Sequence, residues 1–105
     1  MTWVGIDLDG TLAKYPKAPN WTIGEPIPLM VDRVKEWIAE GKEVRIFTAR
    51  VHIDPTGEYA QEIAAWCKEH IGQELPSTCI KDFGCCEIWD DIAVHVGRDT
   101  GIVNR

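Results

Sequence analysis

Apolar positions fall along the chain in two rhythms. Trp3-Val4-Gly5-Ile6 is a short continuous run of the kind that forms a buried strand. From Pro28 the spacing changes: Met30, Val34, Trp37 and Ile38 recur on one helical face until Gly41 stops the pattern, and proline is favoured in a first helical turn. Residues 43–47, Glu-Val-Arg-Ile-Phe, return to a strand and end in Thr48-Ala49-Arg50. Strand, helix, strand in that order predicts a parallel pair with a right-handed crossover.

After a loop over 51–55, Thr56 is the expected cap of a second helix that runs to about His70 and is closed by Gly72. Its periodicity turns Tyr59, Ile63, Trp66 and Cys67 to the core and Glu58, Glu62 and Glu69 outward. Thr78-Cys79-Ile80 then reads as a short strand before Lys81, and Glu87-Ile88-Trp89 leads into Asp90-Asp91. A last strand is expected over 93–96, with a turn at Asp99-Thr100-Gly101. Only residues 82–86 separate Lys81 from Glu87, too few for a helical crossover between parallel strands, which takes a dozen or more. The third strand or its helix must therefore be reduced. The fold class expected is α/β, a Rossmann-like parallel sheet flanked by helices in one domain spanning 1–105.

Between the first strand and first helix, residues 13–27 carry Pro16, Pro19 and Pro26 with Asn20 and Gly24, which is loop chemistry. A loop of this length beside the end of a strand is a candidate lid. Tyr15 and Trp21 give it apolar anchors, and Lys14 and Lys17 give it positive charge.

Composition narrows the possibilities. A chain of 105 residues, 45% hydrophobic and 27% charged, suits one soluble globular domain without a membrane span. No export signal precedes Asp7, so the expected location is the cytoplasm. A formal net charge of -6 argues against broad duplex binding yet leaves room for a small phosphorylated ligand, because a metal and a few cations can reverse a local field. Of the four cysteines, Cys85 and Cys86 are adjacent and none forms a Cys-x-x-Cys pair, so all are expected as buried reduced thiols. His52, His70 and His95 lack metal-site spacing; His70 reads as helix surface and His95 as ordinary strand.

The chemistry lies at the strand ends. Asp7 and Asp9 follow the first strand, and Gly10 offers the sharp exit that lets both face one pocket. In open α/β sheets the ligand crevice is at the carboxyl ends of the strands. Hard oxygen ligands of this kind suit Mg²⁺. The strand ends together present two Asp, Thr48, Lys81, and then Asp90 with Asp91.

In this set the chain resembles the haloacid dehalogenase superfamily of phosphohydrolases, through Asp7-Leu8-Asp9-Gly10-Thr11, Thr48, Lys81 and Asp90-Asp91. It is most similar to the small cap-less members, including capsule-biosynthesis-type phosphatases, and to the phosphatase half of phage polynucleotide kinase. The resemblance implies that Asp7 attacks phosphorus and that Asp9 serves as acid and then base. It implies that Thr48 and Lys81 hold phosphoryl oxygens. Asp7, the Asp9 carbonyl and Asp90, with Asp91 beside them, would hold Mg²⁺. Leu8, Gly10, Ala49 and Arg50, within the first two motifs, are expected at the substrate, as are Lys14 and Trp21 of the loop. The ligand expected is a sugar phosphate, a nucleotide or a nucleic-acid end phosphate, with homo-oligomerisation an option for completing the cap-less site. Two other classes use similar residues: a receiver-type signalling domain phosphorylated on Asp, and a non-catalytic phosphate-binding regulator.

Overall fold

The computed structural model describes residues 1–17 and 19–104. Its sheet has four parallel strands, β1 (Trp3–Ile6), β2 (Val44–Phe47), β3 (Ser77–Thr78) and β4 (Cys85–Trp89), in the order β3-β2-β1-β4. Because β1 is interior and both its faces are covered, all of its residues are buried, as its continuous apolar run requires.

Parallel pairing places Val4 beside Val44 and Ile6 beside Ile46, so these four side chains form one face. That face receives both helices. Helix α1 (Pro28–Ala39) contributes Met30, Val31, Val34 and Trp37, and α2 (Glu58–His70) contributes Ile63, Trp66 and Cys67, to the same core cluster. Trp89 of β4 packs on Trp37 with ring centroids 5.1 Å apart, carrying the core to the sheet edge.

The opposite face has no helix. A connection from β3 to β4 must pass back over β2 and β1, and the segment 79–84 does so as a short strap. Asp82 fastens it: its carboxylate accepts the Trp3 indole N–H at 2.8 Å and pairs with Arg45 at 3.7 Å. The indole and the neighbouring guanidinium hold the Asp82 carboxyl below its ordinary range. At Gly84 a Cβ would lie 2.9 Å from the Met1 carbonyl oxygen, so only glycine lets the strap descend to β4. The strap leaves Ile80 and Phe83 exposed. The expected reduction of the third unit is thus a two-residue strand with no helix after it.

Several local expectations are corrected. Residues 93–96 form no strand; Val96 makes only an isolated bridge to Val103, and His95 lies in this exposed segment. Lacking a sheet neighbour, an apolar run cannot become a ladder. Thr56 does not cap α2. The Asp54 carboxylate accepts from the backbone N–H groups of Tyr59 and Ala60, at 3.1 and 3.0 Å, while Gly57 takes a left-handed φ of 75° at the helix start. Tyr59, in the first turn, is exposed rather than in the core, its ring lining an open cavity instead. Of the thiols only Cys67 is buried, and burial pushes it up to about 11; Cys79 and Cys86 are exposed. His70 is half-buried, its ring 4.7 Å from that of Trp66. Among the described residues no helix is long and apolar enough to cross a membrane.

Candidate functional site

β1 and β4 are neighbours, paired as Ile6 with Trp89, and the Asp7 N–H continues the ladder by donating to the Trp89 carbonyl at 2.9 Å. The next residues of the two strands, Asp7 and Asp90, are therefore brought side by side, with Asp91 following. One carboxylate oxygen from each of the three lies within 4.8 Å of the others. The turn after β1 completes the arrangement. The Leu8 carbonyl accepts from Thr11, Leu12 and Ala13, and Gly10 adopts φ 92°. A Cβ at Gly10 would meet an Asp91 oxygen at 2.6 Å, so glycine is required both for the turn and for the approach of Asp91.

Repulsion governs this cluster. The Asp7 carboxyl is pushed up to about 7, first by burial, then by its hydrogen bond to Asp91 and the charges of Asp90 and Asp91; the Leu8 N–H opposes the rise. Among the described residues no Lys or Arg forms an ion pair with any of the three. The Thr11 hydroxyl reaches Asp7 and Asp91 only at 3.4 and 3.5 Å. Asp90 instead fixes the chain after β4, one oxygen accepting the N–H groups of Ile92 and Ala93 at 2.6 and 3.1 Å.

Asp9 has a different environment. Its two oxygens accept Arg50 Nε and a terminal guanidinium nitrogen at 2.7 and 2.8 Å, a bidentate pair whose side chains are only 19% and 14% exposed. This bond raises the Arg50 pKa further, against the opposing effect of burial. Arg50 sits in the 3-10 turn Ala49–Val51, and Thr48, buried at the end of β2, caps that turn by accepting the Arg50 N–H at 3.1 Å. The third guanidinium nitrogen donates to the Trp21 carbonyl at 2.8 Å. Arg50 thus joins the strand-end turn to the proline-rich loop. That loop rests on a narrow base, Ala13 bridged to Pro26 and Lys14 bonded to Glu25, with the Trp66 indole donating to Gly24.

Outside the Asp9–Arg50 pair opens a cavity of about 430 Å³, lined by Tyr15, Trp21, Ala49, His52, Ile53 and Tyr59 among others. Trp21 and Ala49 therefore meet at one space with Asp9 and Arg50. Lys14 does not line it: its ammonium pairs with Glu25 at 3.4 Å and it borders a second hollow with Lys17. The Leu8 side chain is in the core, leaving only its backbone at the turn. Lys81 is exposed and lines a further hollow with Asp90, without an ion pair to Asp7 among the described residues.

His52, Ile53 and Tyr59 were not legible as site residues, whereas Thr11 belongs to the Asp7–Thr11 motif. Tyr59 matched the periodicity of the buried face, and His52 and Ile53 carry no spacing signal. Three convergent carboxylate oxygens are a hard donor set, and an octahedral Mg²⁺ with bonds of about 2.1 Å holds opposite ligands about 4.2 Å apart. The cluster at Asp7, Asp90 and Asp91, with one oxygen of each within 4.8 Å of the others, offers the type of donor that suits that ion. Comparison of the chain with protein-family models, curated proteins and solved structures finds no match.

Proposed function

We propose that the protein is an Mg²⁺-dependent phosphomonoester hydrolase that works through a phosphorylated Asp7. The observation that carries this reading is the convergence of Asp7, Asp90 and Asp91 at the ends of two neighbouring strands with no paired cation among the described residues. Three half-buried or exposed acids repel one another unless a proton or a metal cation joins them, and a cation does so once the cluster is ionised. The resemblance of Asp7-Leu8-Asp9-Gly10-Thr11, Thr48, Lys81 and Asp90-Asp91 to haloacid dehalogenase phosphatases supports the same chemistry.

Asp7, Asp90 and Asp91 would hold Mg²⁺, which would supply the positive charge that offsets the cluster and a phosphoryl group. An Asp7 oxygen attacks phosphorus, the ester P–O bond breaks, and Asp9 protonates the departing oxygen. Water then attacks the aspartyl phosphate and gives its proton to Asp9. Phosphate leaves, and Asp7 is regenerated. To serve in these transfers Asp9 must release an oxygen from Arg50 and take up a proton from solvent before the first step, so this pair is a resting arrangement that substrate has to loosen. Thr48 retains its hydroxyl proton for a phosphoryl oxygen, since its observed bond uses the oxygen as acceptor. Lys81 must swing from the Asp90 hollow to take the part that the resemblance gives it. Free thiols, including exposed Cys79 and Cys86, suit a reducing compartment such as the cytoplasm.

The test is turnover of a panel of phosphomonoesters with Mg²⁺ and after chelation, with acid-quenched protein analysed for phosphate on Asp7. Release of phosphate that chelation abolishes is the expected result. A folded protein that turns over none of the panel in Mg²⁺ would overturn the reading.

A further inference from the structure

Monomeric proteins bury most of their large aromatic side chains, because each hides a large apolar surface. Tyr15, Trp21 and Tyr59 are 66%, 57% and 46% exposed, yet all three line the one cavity beside Asp9. They come from two separate elements, Tyr15 and Trp21 from the proline-rich loop and Tyr59 from the first turn of α2. The ring pairs among the described residues are Trp3–Phe47, Trp37–Trp89 and Trp66–His70, so the cavity rings are not stacked on one another. Pro16 and Ile53 add apolar wall, while Arg50, Asp9 and His52 supply polar groups at its margin. A volume of about 430 Å³ lies in the range of small-ligand sites, which are mostly apolar with a few polar groups.

We propose that this cavity holds the base of a nucleoside monophosphate whose phosphate is presented to Asp7. This rests on the hydrolase reading for the phosphate but on the aromatic cavity for the base. A sugar phosphate covers less of the three rings than a flat heterocycle, which stacks on them face to face and finds donors and acceptors at its edge. A longer nucleic-acid strand is disfavoured because its backbone needs several cations. Here Arg50 is engaged by Asp9, Lys14 faces Glu25, and the chain carries a net charge of -6. The Arg50 bond to the Trp21 carbonyl holds the loop backbone in place without using the indole, which stays available for stacking.

The experiment compares kcat/KM for the adenosine, guanosine, cytidine and uridine 5′-monophosphates with that for ribose 5-phosphate, which has the same phosphate and sugar but no base. At least one nucleotide is expected to exceed ribose 5-phosphate by about 10-fold or more, through KM, given what a base–aromatic stack contributes. Trp21→Ala and Tyr59→Ala should each reduce that ratio by about 5-fold or more, and Trp21→Phe should restore most of it. A second arm needs no turnover: calorimetry of the same nucleotides and of ribose 5-phosphate with Asp7→Asn, alone and combined with Trp21→Ala, should show the same preference and its loss. No advantage of any nucleotide over ribose 5-phosphate overturns the proposal, as does a ratio unmoved in both alanine variants. So does a phosphate-terminated oligonucleotide that outperforms every mononucleotide. Nucleotide binding weakened by Trp21→Ala, in a protein that hydrolyses no phosphomonoester, would sink the hydrolase reading while leaving the base site standing.

Discussion

Asp7 and Asp9 are one residue apart on the same turn, and the fold treats them oppositely. Both oxygens of Asp9 are met by the Arg50 fork, so its charge is cancelled within the protein. Asp7 faces Asp90 and Asp91, and its carboxyl is pushed up to about 7. The difference arises from the turn that begins at Leu8, which takes Asp9 off the strand direction, and from the neighbours available on each side. β2 delivers Arg50 to the Asp9 side, while β4 delivers two acids to the Asp7 side. A carboxylate already matched by a guanidinium has little to offer a cation, whereas an unmatched group of three gains from one. At rest, then, the Asp9 charge is matched inside the protein and the charge around Asp7 is not.

Making Asp7 neutral should break the contrast most severely. Asp7→Asn is nearly isosteric but cannot form an acyl phosphate, so turnover should fall on the order of 10⁴-fold or more, as when a principal nucleophile is removed. The metal-free variant should also melt higher than wild type at pH 8, because one member of a repelling trio is gone. Multiple turnover by this variant, with deamidation excluded by mass spectrometry, would remove Asp7 from the nucleophile's place.

Asp90→Asn tests the same cluster through cation binding rather than turnover. The change should raise the Mg²⁺ Kd on the order of 10- to 100-fold, with kcat recovering partly at high metal. Calorimetric titration reads this directly. Equal affinity in variant and wild type would leave Asp91 as the ligand from β4.

The strand-end positions of this contrast were readable from sequence because they depend on local order: an apolar run, then Asp-x-Asp-Gly, and later Ile-Trp followed by Asp-Asp. The shortness of 82–86 likewise foretold a reduced third unit, since chain reach alone limits it. What could not be read was pairing across the chain. Nothing near Arg50 announces Asp9, which is 41 residues away, or the Trp21 carbonyl that shares the guanidinium. Tyr59 fits the buried periodicity of α2, yet it is a cavity wall, because the proline-rich loop and the turn after β2 rather than the core stand beside it. The 93–96 run has the composition of a strand, but strand formation depends on a neighbour that the sequence does not reveal.

Arg50→Lys sharpens the comparison from the Asp9 side. A lysine keeps the charge but cannot grip both Asp9 oxygens and the Trp21 carbonyl together. Since the pair is mostly shielded from solvent but not fully buried, a loss of about 1–2 kcal/mol is expected, between the values for surface and buried pairs. Urea denaturation measures it, and KM for a loop-contacting substrate should rise as Trp21 loosens. Stability and KM equal to wild type would mean that the fork contributes nothing beyond its charge.

The mildest test changes only pH. In the folded metal-free protein Asp7 holds its proton up to about pH 7, against an ordinary value of 3.8. Between those values the folded state binds a proton that the unfolded chain has released, so stability must fall as pH rises. The contribution is complete below about pH 4 and is gone above about pH 7. Asp82, held below its ordinary range by the Trp3 indole, acts in the opposite sense, but its window lies under pH 3.8 and does not overlap. Wild type should therefore lose melting temperature relative to Asp7→Asn between pH 4 and 7, and the difference should level off above. Mg²⁺ competes with the same proton, so its binding at pH 6 should release protons and at pH 8 almost none, which calorimetry in buffers of different ionisation enthalpy can count. A constant wild-type-to-variant difference across that window, with no proton release at pH 6, would show that Asp7 is already ionised without metal and that its neighbours repel it less than their proximity implies.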